Sequence, residues 1–183
     1  MRLAALAGLL VSALLSSGCL VVGLHPFYEE GTIEFDEALL GAWQSVESQD
    51  TVRVERGPWR SYRITSAGAD REEVYVGYLT RVGGVRLLDL VWCTEPEDTP
   101  LTARVHLPVR VQLLGDALAL APLDYDWFRG EMDHGRLGAL HPTLDEQENV
   151  LLTASTTAVR AWLASHAAER YDEALRYTRR PAG

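Results

Sequence analysis

Phe35-Asp36-Glu37-Ala38-Leu39-Leu40-Gly41-Ala42-Trp43 is the stretch from which the fold is read. Asp36 carries the short acceptor that caps a helical turn, and Gly41 can take the backbone conformation that ends one. A single turn is therefore expected, with Trp43 entering the first strand. Beyond it, Val52 and Val54 alternate with Arg53 and Glu55, and Tyr62 and Ile64 alternate with Arg63 and Thr65. Val74, Val76 and Tyr78 keep the same period of two, which places one face of each run in a core and the other in water. Turn chemistry separates the runs at Arg56-Gly57-Pro58, Ala67-Gly68-Ala69-Asp70, Val82-Gly83-Gly84-Val85 and Leu114-Gly115-Asp116-Ala117. The Gly-Gly and Gly-Asp pairs supply the positive φ that tight hairpins demand. Between Gly41 and Leu120 this makes seven or eight strands joined mainly by short turns, an antiparallel meander. Such a sheet loses its edges by closing, so the expected fold is mainly β, an up-and-down barrel.

Two segments toward the C-terminus break the pattern. Leu123, Trp127, Phe128 and Met132 have helical spacing, with Asp124 as N-cap after Pro122. A strand over Asn149–Thr153 leads into a second helix from Thr156 to Ala168, where Val159, Trp162, Leu163 and His166 form one stripe. Residues 176–183 are basic and hold a Pro and a Gly, so they are expected to fray.

At the other terminus, Met1-Arg2 precedes an uncharged apolar run from Leu3 to Leu15, the length of a signal-peptide core. Leu14-Leu15-Ser16-Ser17-Gly18-Cys19 follows, and this resembles the lipobox of bacterial lipoproteins, with Leu15 one place earlier than usual. The resemblance implies cleavage between Gly18 and Cys19, and diacylglycerol and acyl chains on Cys19. An uncleaved anchor is the competing reading, since Leu3 to Leu24 is long enough to span a bilayer. Leu20 in place of Asp after the Cys implies the outer membrane. The expected organisation is a signal peptide over 1–18, a membrane-proximal segment over 19–35, the barrel domain over 36–175 and the tail.

Composition excludes several classes of function. The formal charge is −9, and losing Arg2 with the leader takes it to −10, which argues against nucleic acid as a partner. All 17 basic side chains are arginine, so no lysine can form a Schiff base or serve a P-loop. With Cys19 lipidated, Cys93 has no partner for a disulfide and reads as a buried structural thiol. The patterns G-x-S-x-G, H-E-x-x-H and C-x-x-C are missing from the sequence. Glu131-Met132-Asp133-His134 has the E-x-x-H spacing of a carboxylate-bridged metal site, but that chemistry needs two such helices. No metal and no cofactor beyond the acyl chains is expected, and no catalytic residue. Arg53, Arg56, Arg60 and Arg63, interleaved with Trp59 and Tyr62, read as a solvated hairpin face.

The Phe35–Trp43 stretch also resembles the opening of lipocalins and related calycins, a short helix followed by G-x-W. That resemblance implies that Trp43 plugs the closed end of the barrel while Gly41 lets the chain pass close beneath it. It implies too an arginine that closes the barrel, for which Arg160 is the candidate. Leu123-Asp124-Tyr125 is the nearest match to a further lipocalin element, although it begins a helix. The mature chain is similar to lipoproteins of Gram-negative bacteria that share a P-x-Y segment, the FD-x-x-LLG-x-W start, a P-L-D-Y-D-W block and an L-x-T-A-S helix entry. No activity comes with that likeness. The reading is a membrane-anchored envelope lipoprotein whose barrel binds an apolar ligand or lipid. Trp43, Trp92, Tyr75 and Tyr78 are candidates to line the cavity. The alternative is a filled barrel that acts through its surface as an inhibitor or assembly factor.

Overall fold

The computed structural model of the protein describes residues 20–69, 72–93, 104–166 and 170–181. The expected signal peptide over 1–18 and Cys19 lie outside the described residues, as do the acidic residues Glu95, Glu97 and Asp98. The strands are β1 (Val21–Gly23), β2 (Gly41–Ser45), β3 (Thr51–Arg56), β4 (Ser61–Ala67), β5 (Glu72–Val82), β6 (Val85–Trp92), β7 (His106–Leu114), β8 (Ala117–Pro122), β9 (Pro142–Leu144), β10 (Val150–Leu152) and β11 (Leu175–Arg179). The helices are α1 (Tyr125–Asp133) and α2 (Thr156–His166).

Strands β2 to β8 pair in chain order, each antiparallel to the next. β11 then fits between β8 and β2 and closes the ring, so the barrel is antiparallel, up-and-down and eight-stranded. This corrects the tail. Arg176–Arg179 form a barrel strand, and the Arg180 N–H continues the ladder to the Ala42 carbonyl. Leu175 and Tyr177 face the interior while Arg176 and Thr178 reach outward, the ordinary alternation of a barrel wall.

Within β3 and β4 the inward rows are the expected ones, Val52 and Val54 facing Tyr62 and Ile64. In β5 the inward row is the other one: Tyr75, Gly77 and Leu79, not Val74, Val76 and Tyr78. At Gly77 a Cβ would lie 2.7 Å from Ile64 Cδ1 on the neighbouring strand, so a larger residue there would push that side chain aside.

Residues 123–174, between β8 and β11, build a second core on the outside of the barrel. Phe128 of α1, Val159 and Leu163 of α2, Val21 of β1 and Val150 and Leu152 of β10 pack with Val82 and Leu87, whose side chains leave the wall outward. Asp124 caps α1 as its sequence requires, accepting from the Trp127 N–H at 2.9 Å. The strand near Asn149–Thr153 exists as β10, but it belongs to this annex, parallel to β1 and antiparallel to β9. β1 pairs with β7 at Gly23–His106, beyond the last β8 pair at Val109–Pro122. It therefore takes the place β8 would occupy if it ran on, and raises the wall at one end. Among the described residues no helix is long and apolar enough to cross a membrane.

Candidate functional site

The hairpin β5–β6, the start of β2 and the end of β11 meet at the same end of the barrel, and this end is shut. Trp43 is fully buried there, and its indole N–H donates to the Leu39 carbonyl at 3.0 Å. The Arg179 guanidinium lies 4.1 Å from the centroid of the Trp43 ring. It donates from Nη1 to the Leu40 carbonyl at 2.7 Å and from Nη2 to the Ala38 carbonyl at 2.6 Å. These are the carbonyls that the single turn at Glu37–Leu39 leaves unsatisfied. Gly41 has φ +134°, and a Cβ there would lie 2.7 Å from Arg179 Nη1, so the arginine fits only because residue 41 is glycine.

Arg160 does not do this. Its guanidinium donates to the Phe27 carbonyl at 2.7 Å and to the Arg81 carbonyl at 3.2 Å, which pins α2 and the N-terminal segment to the outside of β5. The closing arginine is Arg179. The signal for it in the sequence is its position: Leu175, Tyr177 and Arg179 share one parity, and a strand ending in Arg can reach a Trp at the start of its neighbour.

Asp36 completes the seal. Its carboxylate accepts from the Ala38 N–H at 3.0 Å and from Arg86 Nη2 at 2.6 Å, and the Arg86 bond holds it below the usual carboxylate range. Tyr62, also fully buried, accepts from the Asp36 N–H at 2.6 Å and stacks on Phe35. Of the arginine-aromatic stretch, Arg56 pairs with Glu37 and Arg60 donates to the Ile33 carbonyl, so these side chains brace the same end.

From the plug to the opposite end the barrel encloses a cavity of about 320 Å³. Its walls are aliphatic, with Ile64, Leu88, Leu90, Val109, Val111 and Leu118 among them, and Tyr75 and Tyr177 add aromatic rings. Burial pushes Tyr177 up to about 12. Of the four aromatic candidates only Tyr75 lines the space. Trp43 lies beneath it in the plug, Tyr78 stacks on Tyr28 at 4.6 Å outside the wall, and Trp92 is 53% exposed at the rim. Cys93 sits beside Trp92, half-buried rather than in the core.

At the mouth the lining changes to Leu20, Ser66, Pro122, Asp172 and Glu173. Burial raises the Asp172 carboxyl above its ordinary range, and the neighbouring charges of Asp124 and Asp126 raise it further. The mouth is therefore a negative rim around an apolar shaft.

The chain reaches this rim through a clamped segment. Asp89, wholly buried on the outer face of β6, accepts from the Phe27 N–H at 2.8 Å and lies 2.9 Å from His106 Nδ1. Burial pushes the Asp89 carboxyl up, against the opposing pull of the His106 and Phe27 hydrogen bonds. Leu20 is held at both ends of its peptide, its N–H on Asn149 Oδ1 at 3.0 Å and its carbonyl on the Val150 N–H at 2.8 Å. The segment from Leu20 onward thus packs into the domain from its first described residue.

The E-x-x-H residues have other partners: Glu131 pairs with Arg136, and His134 Nδ1 lies 2.6 Å from the Gly130 carbonyl. Among the described residues no three His, Cys, Asp or Glu side chains come together in a way that could hold a metal ion. In comparisons with known proteins, no family model, no curated protein and no solved structure matches the chain.

Proposed function

We propose that the chain is an envelope lipoprotein, anchored in the outer membrane through Cys19, whose barrel takes up an apolar ligand or the hydrocarbon of a lipid. The observation that supports this most is the cavity. At about 320 Å³ it falls at the low end of small-molecule pockets, and its walls offer aliphatic contact rather than an array of hydrogen-bonding groups. A single hydrocarbon chain or a compact apolar molecule suits it better than a large lipid. A filled barrel acting only through its surface fits this volume less well, and the proposal assigns no catalytic step. The resemblance to lipocalins points the same way.

Two measurements test the two halves. Cys19→Ser in the full chain should abolish leader cleavage and release the protein from the membrane fraction; retention with cleavage would remove the anchor. Nile red added to the unacylated Cys19→Ser chain should show saturable, blue-shifted fluorescence that is lost when Leu118→Trp, which fills the cavity, is combined with that substitution. Equal binding by a folded Leu118→Trp would remove ligand uptake.

A further inference from the structure

We infer that the first occupant of the barrel is one of the protein's own acyl chains, carried on Cys19. This rests on the lipoprotein reading above and names the ligand of its cavity.

The placement of Leu20 carries it. Leu20 lines the cavity and is fixed by two hydrogen bonds, its N–H donating to the Asn149 side chain and its carbonyl accepting from the Val150 N–H. One trans peptide separates it from Cys19, so the two Cα atoms are about 3.8 Å apart. No tether intervenes. Leu20 shares the mouth with Pro122, Asp172 and Glu173, at the edge of the apolar shaft, so a chain borne one residue earlier starts within reach of it.

Dimensions agree. Along β4 the shaft runs from Ser66 near the mouth to Tyr62 beside the plug, four residues and so roughly 13 Å at about 3.3 Å per residue. A bilayer hydrocarbon core of about 30 Å gives each leaflet, and each acyl chain that fills it, about 15 Å. One chain at the length it has within a leaflet comes close to this depth, and the volume holds little more than one.

Charge selects the source. Asp172 and Glu173 at the mouth, with Asp124 and Asp126 close to Asp172, repel a fatty-acid carboxylate or an anionic phospholipid head. The chains on a lipoprotein cysteine arrive through a thioether-linked glycerol ester or an amide, neither of which is charged. The rim therefore discriminates against free anionic lipid and leaves the tethered chain unopposed.

Sequestering a chain also sets the grip on the membrane. One acyl chain holds a protein only marginally, whereas two or three hold it firmly. A triacylated protein with one chain in its barrel remains anchored by two, and a diacylated one is left with one.

Photo-cross-linking in intact cells tests this directly. Cells expressing the full chain are fed a diazirine-bearing fatty acid, which enters lipoproteins and phospholipids alike, and are irradiated. The purified protein is digested and its cross-linked peptides are identified by mass spectrometry. The expected result is an intramolecular adduct between the acylated Cys19 peptide and the β7–β8 peptides that contain Val109, Val111 and Leu118. It should fall at least tenfold in Leu118→Trp and in the milder Val111→Phe, two variants that fill the cavity from different strands. Adducts of those peptides with phospholipid instead would overturn the self-occupancy and leave the binding module standing. Cys19 adducts confined to bilayer lipid, with an unmodified barrel interior, would overturn it too. An unacylated Cys19 would remove the lipoprotein reading along with it.

Discussion

The two ends of the barrel are made by the same eight strands and have opposite chemistry. At the plug, polar side chains are spent on the backbone: Arg179 on the Leu40 and Ala38 carbonyls, Arg86 on Asp36, Tyr62 on the Asp36 N–H. At the mouth, the shaft between Leu90, Leu107 and Leu120 meets two carboxylates and a serine. One end is close-packed around Trp43, and the other keeps its space. Stability and capacity are thus segregated along the barrel axis, so each can be altered with limited cost to the other.

The difference can be broken most severely at the plug. Trp43→Ala removes a fully buried indole and its hydrogen bond, and should destabilise the protein by about 3–5 kcal/mol in urea unfolding. Gly41→Ala places a Cβ against Arg179 at a positive φ and should cost about 1–3 kcal/mol by the same measurement. If either variant were neutral, the plug would not be the rigid end.

An alkaline titration reads burial in both parts of the molecule at once. Burial raises Tyr177 inside the barrel and Tyr171 in the annex to about 12, above the ordinary phenol value near 10. The stability this represents is present in full below pH about 10 and disappears as pH rises toward 12. The chain has no lysine to titrate in the same window. The thermal midpoint should fall by several degrees between pH 10 and about 11.5, and less in Tyr177→Phe.

The smallest effect on stability is expected at the mouth, where it sharpens the contrast. Glu173→Gln should change unfolding by less than about 0.5 kcal/mol. It should nevertheless bring binding of an anionic fatty-acid probe closer to that of its neutral alcohol, measured by competition with Nile red. Unchanged discrimination would mean that the rim charge does not select.

Much of this was legible from residue order. The alternation in β3 and β4 and the turns at Gly57, Gly83–Gly84 and Gly115–Asp116 specify hairpins, because their periods and positive-φ sites admit little else. β5 misled, since both of its faces are apolar: Val74, Val76 and Tyr78 form the outer row, half-buried, where Tyr28 lies on Tyr78. Period two cannot rank two hydrophobic rows. β11 was hidden by composition, because a five-residue strand with two arginines looks like a basic tail until its partner strands are known. Of the candidate site, Gly41 and Trp43 could be read from their motif. The cavity could not, because empty volume depends on how side chains from all eight strands fail to meet.

The position of β11 also has a consequence in time. The ring opens with Gly41 and cannot shut until Leu175–Arg179 exist, 134 residues later. At about 5–20 residues per second that is a wait of about 7–27 s, during which β2 has only its β3 neighbour and the apolar faces of seven strands stand uncovered. Until β11 pairs with both, β2 and β8 remain open edges, the kind of strand that invites pairing with another chain.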